Sequence, residues 1–204
     1  MSDQTYPAAP WDMHGQLWLS LFRVAHAVDE LRPAGVYGVA LVRYEDPSPL
    51  TYGELLVAHT VKKPVKGVTI TDIWVDSPAS VAGGRELWAI PKGLCEFDHR
   101  DHGGRVAHTE CSVTIDGAPV CSARFSDVSR LAPRVPFKGR TWQPELTEGL
   151  GAHDGEKTAT LTGSSRTLPA RGSWTFAADG PLAWLNGARQ LGSARMADFE
   201  MSFG

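Results

Sequence analysis

Alternating apolar and polar positions recur in short stretches along this chain, and helical spacing is scarce. Two runs alternate most cleanly, Thr69-Ile70-Thr71-Asp72-Ile73-Trp74-Val75 and Ala107-His108-Thr109-Glu110-Cys111-Ser112-Val113-Thr114-Ile115. A period of two sets one face of a strand against a core. Strand character extends over residues 36–44, 54–61, 68–75, 105–115, 120–128, 158–161 and 173–176. Asp116-Gly117 falls between two such runs and predicts a tight hairpin turn, with a second turn at His102-Gly103-Gly104. Residues 78–84 predict one short helical turn capped by Ser77, and residues 181–190 predict another. Residues 147–156 read as a surface connection. Short strands separated by turn signals roughly every ten residues predict an all-β barrel or sandwich. No internal repeat or linker divides the chain, so residues 1–204 are expected to form a single domain.

Composition narrows the function classes. With 42% apolar and 21% charged residues, the chain has the makings of a packed core rather than global disorder. A net charge of -3, with basic residues dispersed, argues against nucleic-acid or anionic-membrane partners. Lys62-Lys63-Pro64-Val65-Lys66-Gly67 is basic, but its Pro and Gly mark a solvated turn. There is no apolar run of about 18 residues and no basic-then-apolar leader at the start. The three cysteines, Cys95, Cys111 and Cys121, are odd in number and irregularly spaced. A reduced, cytoplasmic protein is the expectation.

One lysine stands out. Lys92 lies within Leu87-Trp88-Ala89-Ile90-Pro91-Lys92-Gly93-Leu94, an apolar setting for a side chain that normally stays wet. Burial disfavours the ammonium and is expected to lower its pKa. A solvated lysine is neutral only about one time in 2,500 at pH 7, and a fall of roughly four units would make it mostly neutral and nucleophilic. The plain structural alternative is a lysine whose stem covers the core while its head reaches water.

Gly84-Arg85-Glu86-Leu87-x-Ala89-x-Pro91-Lys92 resembles the signature of acetoacetate decarboxylases, in which Gly-Arg-Glu leads into a Schiff-base lysine. Tyr52-x-Glu54 is similar to the family's Tyr-x-Glu, and Asp76-Ser77-Pro78-Ala79 and Pro7-Ala8-Ala9-Pro10 add to the likeness. The resemblance implies a mainly β, barrel-like fold of curved antiparallel sheets with few short helices. It also implies a cofactor-independent, homo-oligomeric enzyme acting on a small keto or oxo acid, most simply as a β-keto acid decarboxylase. Lys92 would form the imine, and Glu54 would serve as acid/base or substrate-orienting group beside Tyr52. Arg85 and Glu86 would support the Lys92 segment. Trp88 and Trp74 flank that segment, either walling a dry pocket or packing the core.

The chain also departs from the pattern. Gly93 stands where the family has a second lysine. A first-strand arginine suited to a substrate carboxylate falls near Gln16, with Arg23 and Arg43 as substitutes. A second acidic residue falls near Val39 or Ala40, with Glu45 close by. These differences leave room for imine-based aldolase, dehydratase or cyclase chemistry on a larger oxo acid, or for a non-catalytic binder. Other sites are weaker. His99 and His102 read as loop residues, and His108 and Cys111 point to opposite faces of one strand, so with Cys95 they make no metal set. There is no G-x-S-x-G elbow, and Gly149-x-Gly151-x-x-x-Gly155 lacks dinucleotide spacing.

Overall fold

The computed structural model describes residues 5–146, 149 and 152–204. In chain order the strands are β1 (Trp11–Val24), β2 (Gly35–Glu45), β3 (Tyr52–Val61) and β4 (Gly67–Val75), followed by the helix α1 (Pro78–Trp88). Then come β5 (Lys92–Leu94), β6 (Glu96–His102), β7 (Ala107–Ile115), β8 (Ala118–Asp127), β9 (Arg134–Gln143), β10 (Lys157–Phe176) and β11 (Arg189–Phe203). The expected mainly β fold with few helices is what forms.

Local chemistry explains several boundaries. Asp116 and Gly117 both adopt positive φ, 50° and 76°, the twist a two-residue hairpin between β7 and β8 needs. The helix at 78–84 runs on to Trp88, with Ser77 accepting from the Ser80 amide, and it stops where Ala89 turns left-handed. Residues 181–190 do not form a comparable helix. Only a single 3₁₀ turn forms at Ala183–Leu185, and β11 has begun by Arg189. His99 and His102 are strand residues of β6 rather than loop residues, and His102 pairs with His108 across the hairpin. Of the expected connection at 147–156, residues 147, 148, 150 and 151 lie outside the described residues.

The strands follow the order β11–β1–β2–β3–β4–β9–β10–β8–β7–β6, and β11 also pairs with β10. The path from β11 through β10 therefore returns on itself as a strongly curved, closed layer. It is not wholly antiparallel, because β4 runs parallel to both β5 and β9. The β4–β9 seam has one ladder pair, Val68 with Thr141. The Gln143 side chain extends it by accepting from the Ile70 amide at 2.9 Å and donating to the Ile70 carbonyl at 3.1 Å. A side-chain amide thus takes the place of a missing backbone rung.

The first half of β10 stays in the closed layer, and the second half pairs with β8, carrying β6, β7 and β8 over the outside. This divides the interior in two. Between the layers lie Trp18, Val39, Leu41, Leu55, Val57, Val113 and Phe125. Inside the curved layer lie Trp11, Met13, Val42, Tyr44, Tyr52, Ile73, Trp88 and Phe199. Strand parity decides which interior each residue joins. Along β2, Val39 and Leu41 face outward to the second layer, while Val42 and Tyr44 face inward.

Candidate active site

Lys92 opens the three-residue strand β5, beside Ile73 of β4. Its position follows from the motif before it. Helix α1 lies close enough that a Cβ on Gly84 would come within 2.8 Å of Lys92 Cδ and 2.9 Å of Cε, so only glycine lets the lysine stem cross the helix. One residue on, the Arg85 guanidinium donates through Nε, at 2.8 Å, and a terminal nitrogen to the Lys92 carbonyl, fixing the backbone that carries the amine. The Ala89 turn then reverses the chain into Pro91-Lys92.

The amine is buried, with Lys92 4% and Glu54 3% exposed. Lys92 Nζ donates to Glu54 Oε2 at 2.8 Å, to Ser80 Oγ at 2.9 Å and to Tyr52 Oη at 3.3 Å. An ammonium has three donors, and all three are used. Glu54 in turn accepts from the Tyr44 hydroxyl at 3.1 Å through its other oxygen. Burial and the neighbouring carboxylate push the Tyr44 phenol well up, so it remains a neutral donor.

These contacts reverse one expectation from sequence. Burial does push the Lys92 pKa down, but the Glu54 carboxylate and then Tyr52 push it up, and the attraction wins. The amine is held above the ordinary lysine range. The ligand-free site is an ion pair, and the neutral amine that imine chemistry needs must come from passing a proton to a partner within the cluster.

The cluster sits in a cavity of about 370 Å³ inside the curved layer. Its walls are mainly apolar and come from β1, β2, β3, β4, α1, β9, β10 and β11, with Trp88, Met13, Ile73 and Phe199 among them. Among the described residues, the charged groups lining it are Lys92, Glu54 and Lys138, the last of these exposed. No arginine is among these described lining residues.

The structure brings together Lys92, Glu54, Tyr52 and Trp88, places Arg85 directly behind Lys92, and leaves three of the singled-out residues elsewhere. Glu86 is exposed; its carboxylate raises the pKa of the Tyr6 phenol, and its carbonyl accepts from Lys157 Nζ. Arg23 is exposed near the end of β1 and lines no part of the cavity. Gln16 is buried but belongs to the even-numbered face of β1, with Trp18 and Ser20, whereas Met13 and Leu17 face the cavity. There it donates to Glu45 and Asp198 and accepts from Arg195. Arg43 and Glu45 pair with each other in the same neighbourhood. Trp74 packs between the layers, so only Trp88 of the flanking pair walls the pocket. Sequence reasoning missed Ser80 and Tyr44. Tyr44 was within reach from pairing alone, because an antiparallel β2–β3 hairpin sets it opposite Tyr52.

Comparison with known proteins agrees with this fold. Among solved structures, an acetoacetate decarboxylase from Legionella pneumophila superposes with a TM-score of 0.63 at 16% identity, over 98% of this chain and 86% of that one. An acetoacetate decarboxylase-like enzyme from Sphingomonas wittichii RW1 gives 0.62 at 14% identity, covering 97% and 92%. The enduracididine biosynthesis enzyme MppR, complexed with the condensation product of pyruvate and imidazole 4-carboxaldehyde, gives 0.59 at 15% identity, covering 99% and 89%. No curated protein sequence matches the chain. The family profile described as acetoacetate decarboxylase (ADC) matches residues 24–146, more than half of the sequence and including both Tyr52-x-Glu54 and the Lys92 motif. The chain belongs to the acetoacetate decarboxylase family.

Proposed function

We propose that residues 1–204 form a single-domain lyase that condenses Lys92 with the ketone of a β-oxo acid and releases carbon dioxide. The observation that carries this reading is the buried Lys92–Glu54 contact, at 2.8 Å, lining a largely apolar cavity. Glu54 takes a proton from the Lys92 ammonium, and the freed amine attacks the ketone carbon. The resulting carbinolamine loses its hydroxyl as water, using the proton on Glu54, and leaves a protonated imine. The bond to the carboxylate carbon then breaks. Its electron pair moves to the imine nitrogen as an enamine while carbon dioxide departs. Protonation of the enamine carbon and hydrolysis return the shortened ketone and the free lysine. The imine is itself the electron sink, so the reaction needs no cofactor.

Tyr44 and Ser80 are positioning residues in this scheme, holding Glu54 and the amine in line. Arg85 holds the Lys92 backbone. Glu86, Arg23 and Gln16 have no part in it. Two further features of the reading concern its setting. All three cysteines are free and buried, which suits a reducing cytoplasm, and the family resemblance suits a homo-oligomer, to be read from its mass in light scattering.

The test is exchange of the ketone oxygen with ¹⁸O-labelled water. An enzyme that passes reversibly through an imine exchanges that oxygen in the ketone product, and Lys92→Ala does not. Carbon dioxide release from a β-oxo acid without oxygen exchange would remove the imine from the scheme.

A further inference from the structure

The cavity around Lys92 is far larger and more apolar than a short oxo acid requires. Its reactive cluster lies at one end, where Lys92 pairs with Ile73 and where Tyr52 and Glu54 begin the inward face of β3. The lining continues along β4 to Val68, five residues from Ile73, and along β3 to Ala58. At about 3.3 Å per residue, the distance from Ile73 to Val68 is roughly 16 Å. Among the described residues, nothing charged lines this length until Lys138 on β9, which is exposed. The polar side chains that do line the cavity are Tyr44, Tyr52 and Thr141. A volume of about 370 Å³ lies within the range of sites that enclose a whole medium-sized ligand.

We infer that the natural substrate is a medium-chain 3-oxo acid, about eight to ten carbons long, whose alkyl chain fills the cavity from Lys92 toward Val68. The inference rests on the imine reading of Lys92 and adds the substrate class. At about 1.3 Å of projected length per carbon, from single bonds near 1.5 Å, the carbons beyond the ketone reach roughly 7–9 Å, about half of the length from Ile73 to Val68. A four-carbon acid would leave much of the apolar wall to water. With no arginine among the described lining residues to grip it, the carboxylate stays at the Lys92 end, where loss as uncharged carbon dioxide removes its desolvation cost. The product is a methyl ketone of one carbon fewer, and the balance is one 3-oxo carboxylate and one proton giving one methyl ketone and one carbon dioxide.

The experiment measures carbon dioxide release by the full chain from acetoacetate, 3-oxohexanoate and 3-oxodecanoate. It includes borohydride trapping of each acid. Each added methylene is expected to raise kcat/KM about three- to fourfold, so with six more methylenes 3-oxodecanoate should exceed acetoacetate by on the order of a thousandfold. Ala58→Phe should cut that ratio at least tenfold by filling the distal part of the cavity; Val68→Phe serves the same purpose if Ala58→Phe fails to fold. Binding is also read without chemistry, as the Tm shift of the wild type with nonan-2-one against butan-2-one, and the longer ketone should give the larger shift. Equal turnover of acetoacetate and 3-oxodecanoate, together with equal Tm shifts, would overturn the inference while leaving the imine reading intact. A larger shift with nonan-2-one but no trapped adduct with any acid would refute the imine reading and leave the apolar-chain inference supported.

Discussion

Lys92 and Glu54 form a 2.8 Å ion pair whose two side chains are each 5% exposed. At that depth neither charge is tolerable alone, and each holds the other in place. Lys92 thus rests as an ammonium saturated by a carboxylate, a serine and a tyrosine, not as a free neutral amine.

Glu54→Gln should invert the lysine's behaviour. In the wild type the folded-state pKa is raised, so the pair's contribution to stability is fully present below the ordinary lysine value of 10.5 and is lost as pH rises through the folded value. Without the carboxylate, burial prevails and the folded pKa falls below the unfolded one. The variant should then gain stability between pH 7 and about pH 9.5, where the wild type gains none from this group. Urea midpoints at the two pH values measure this. A variant whose difference from the wild type does not change with pH would mean that Glu54 does not set the charge of Lys92.

Gly84→Ala separates stability from chemistry. In an ordinary helix interior the change would stabilise by up to about 1 kcal/mol. Here the new methyl would lie 2.8 Å from Lys92 Cδ, so the lysine stem must move. The expected outcome is a Tm within a few degrees of the wild type and at least a tenfold loss of turnover. Turnover at the wild-type level would show that the glycine is not what lets Lys92 reach its partners.

Gln143→Ala should open the seam. Two hydrogen bonds to Ile70 disappear, leaving a buried amide and carbonyl unpaired at the weakest junction of the closed layer. The expected cost is about 2–4 kcal/mol, a fall of several degrees in Tm. Faster amide hydrogen exchange confined to β4 and β9 would locate it, whereas uniform loss of protection would show that the seam is not a separate weak point.

What was legible in the sequence was whatever is contiguous. The Lys92 motif is a single stretch, and the packing of α1 against the lysine stem explains its glycine as well as its lysine. The runs around Ile70 and Cys111 alternate because each strand has one face that differs sharply from the other. β1 escaped notice because both of its faces are buried: Trp11 and Met13 inward, Trp18 and Phe22 outward, so polar alternation is lost. The same blindness misplaced Gln16. Position along a first strand does not reveal parity, and a single residue of register moves a side chain from the cavity to the opposite interior. Ser80 and Tyr44 reach Lys92 and Glu54 only through the packing of α1 and the β2–β3 register, neither of which a local motif encodes.

The central claim is that Lys92 forms the covalent bond. Incubation of the wild type with 3-oxodecanoate and borohydride, followed by proteolysis and mass spectrometry, tests it directly. The account predicts one reduced adduct per chain, in the peptide containing Lys92, and none in Lys92→Ala of unchanged far-ultraviolet circular dichroism. An adduct on Lys138 or any other lysine, or one that persists in Lys92→Ala, would contradict it.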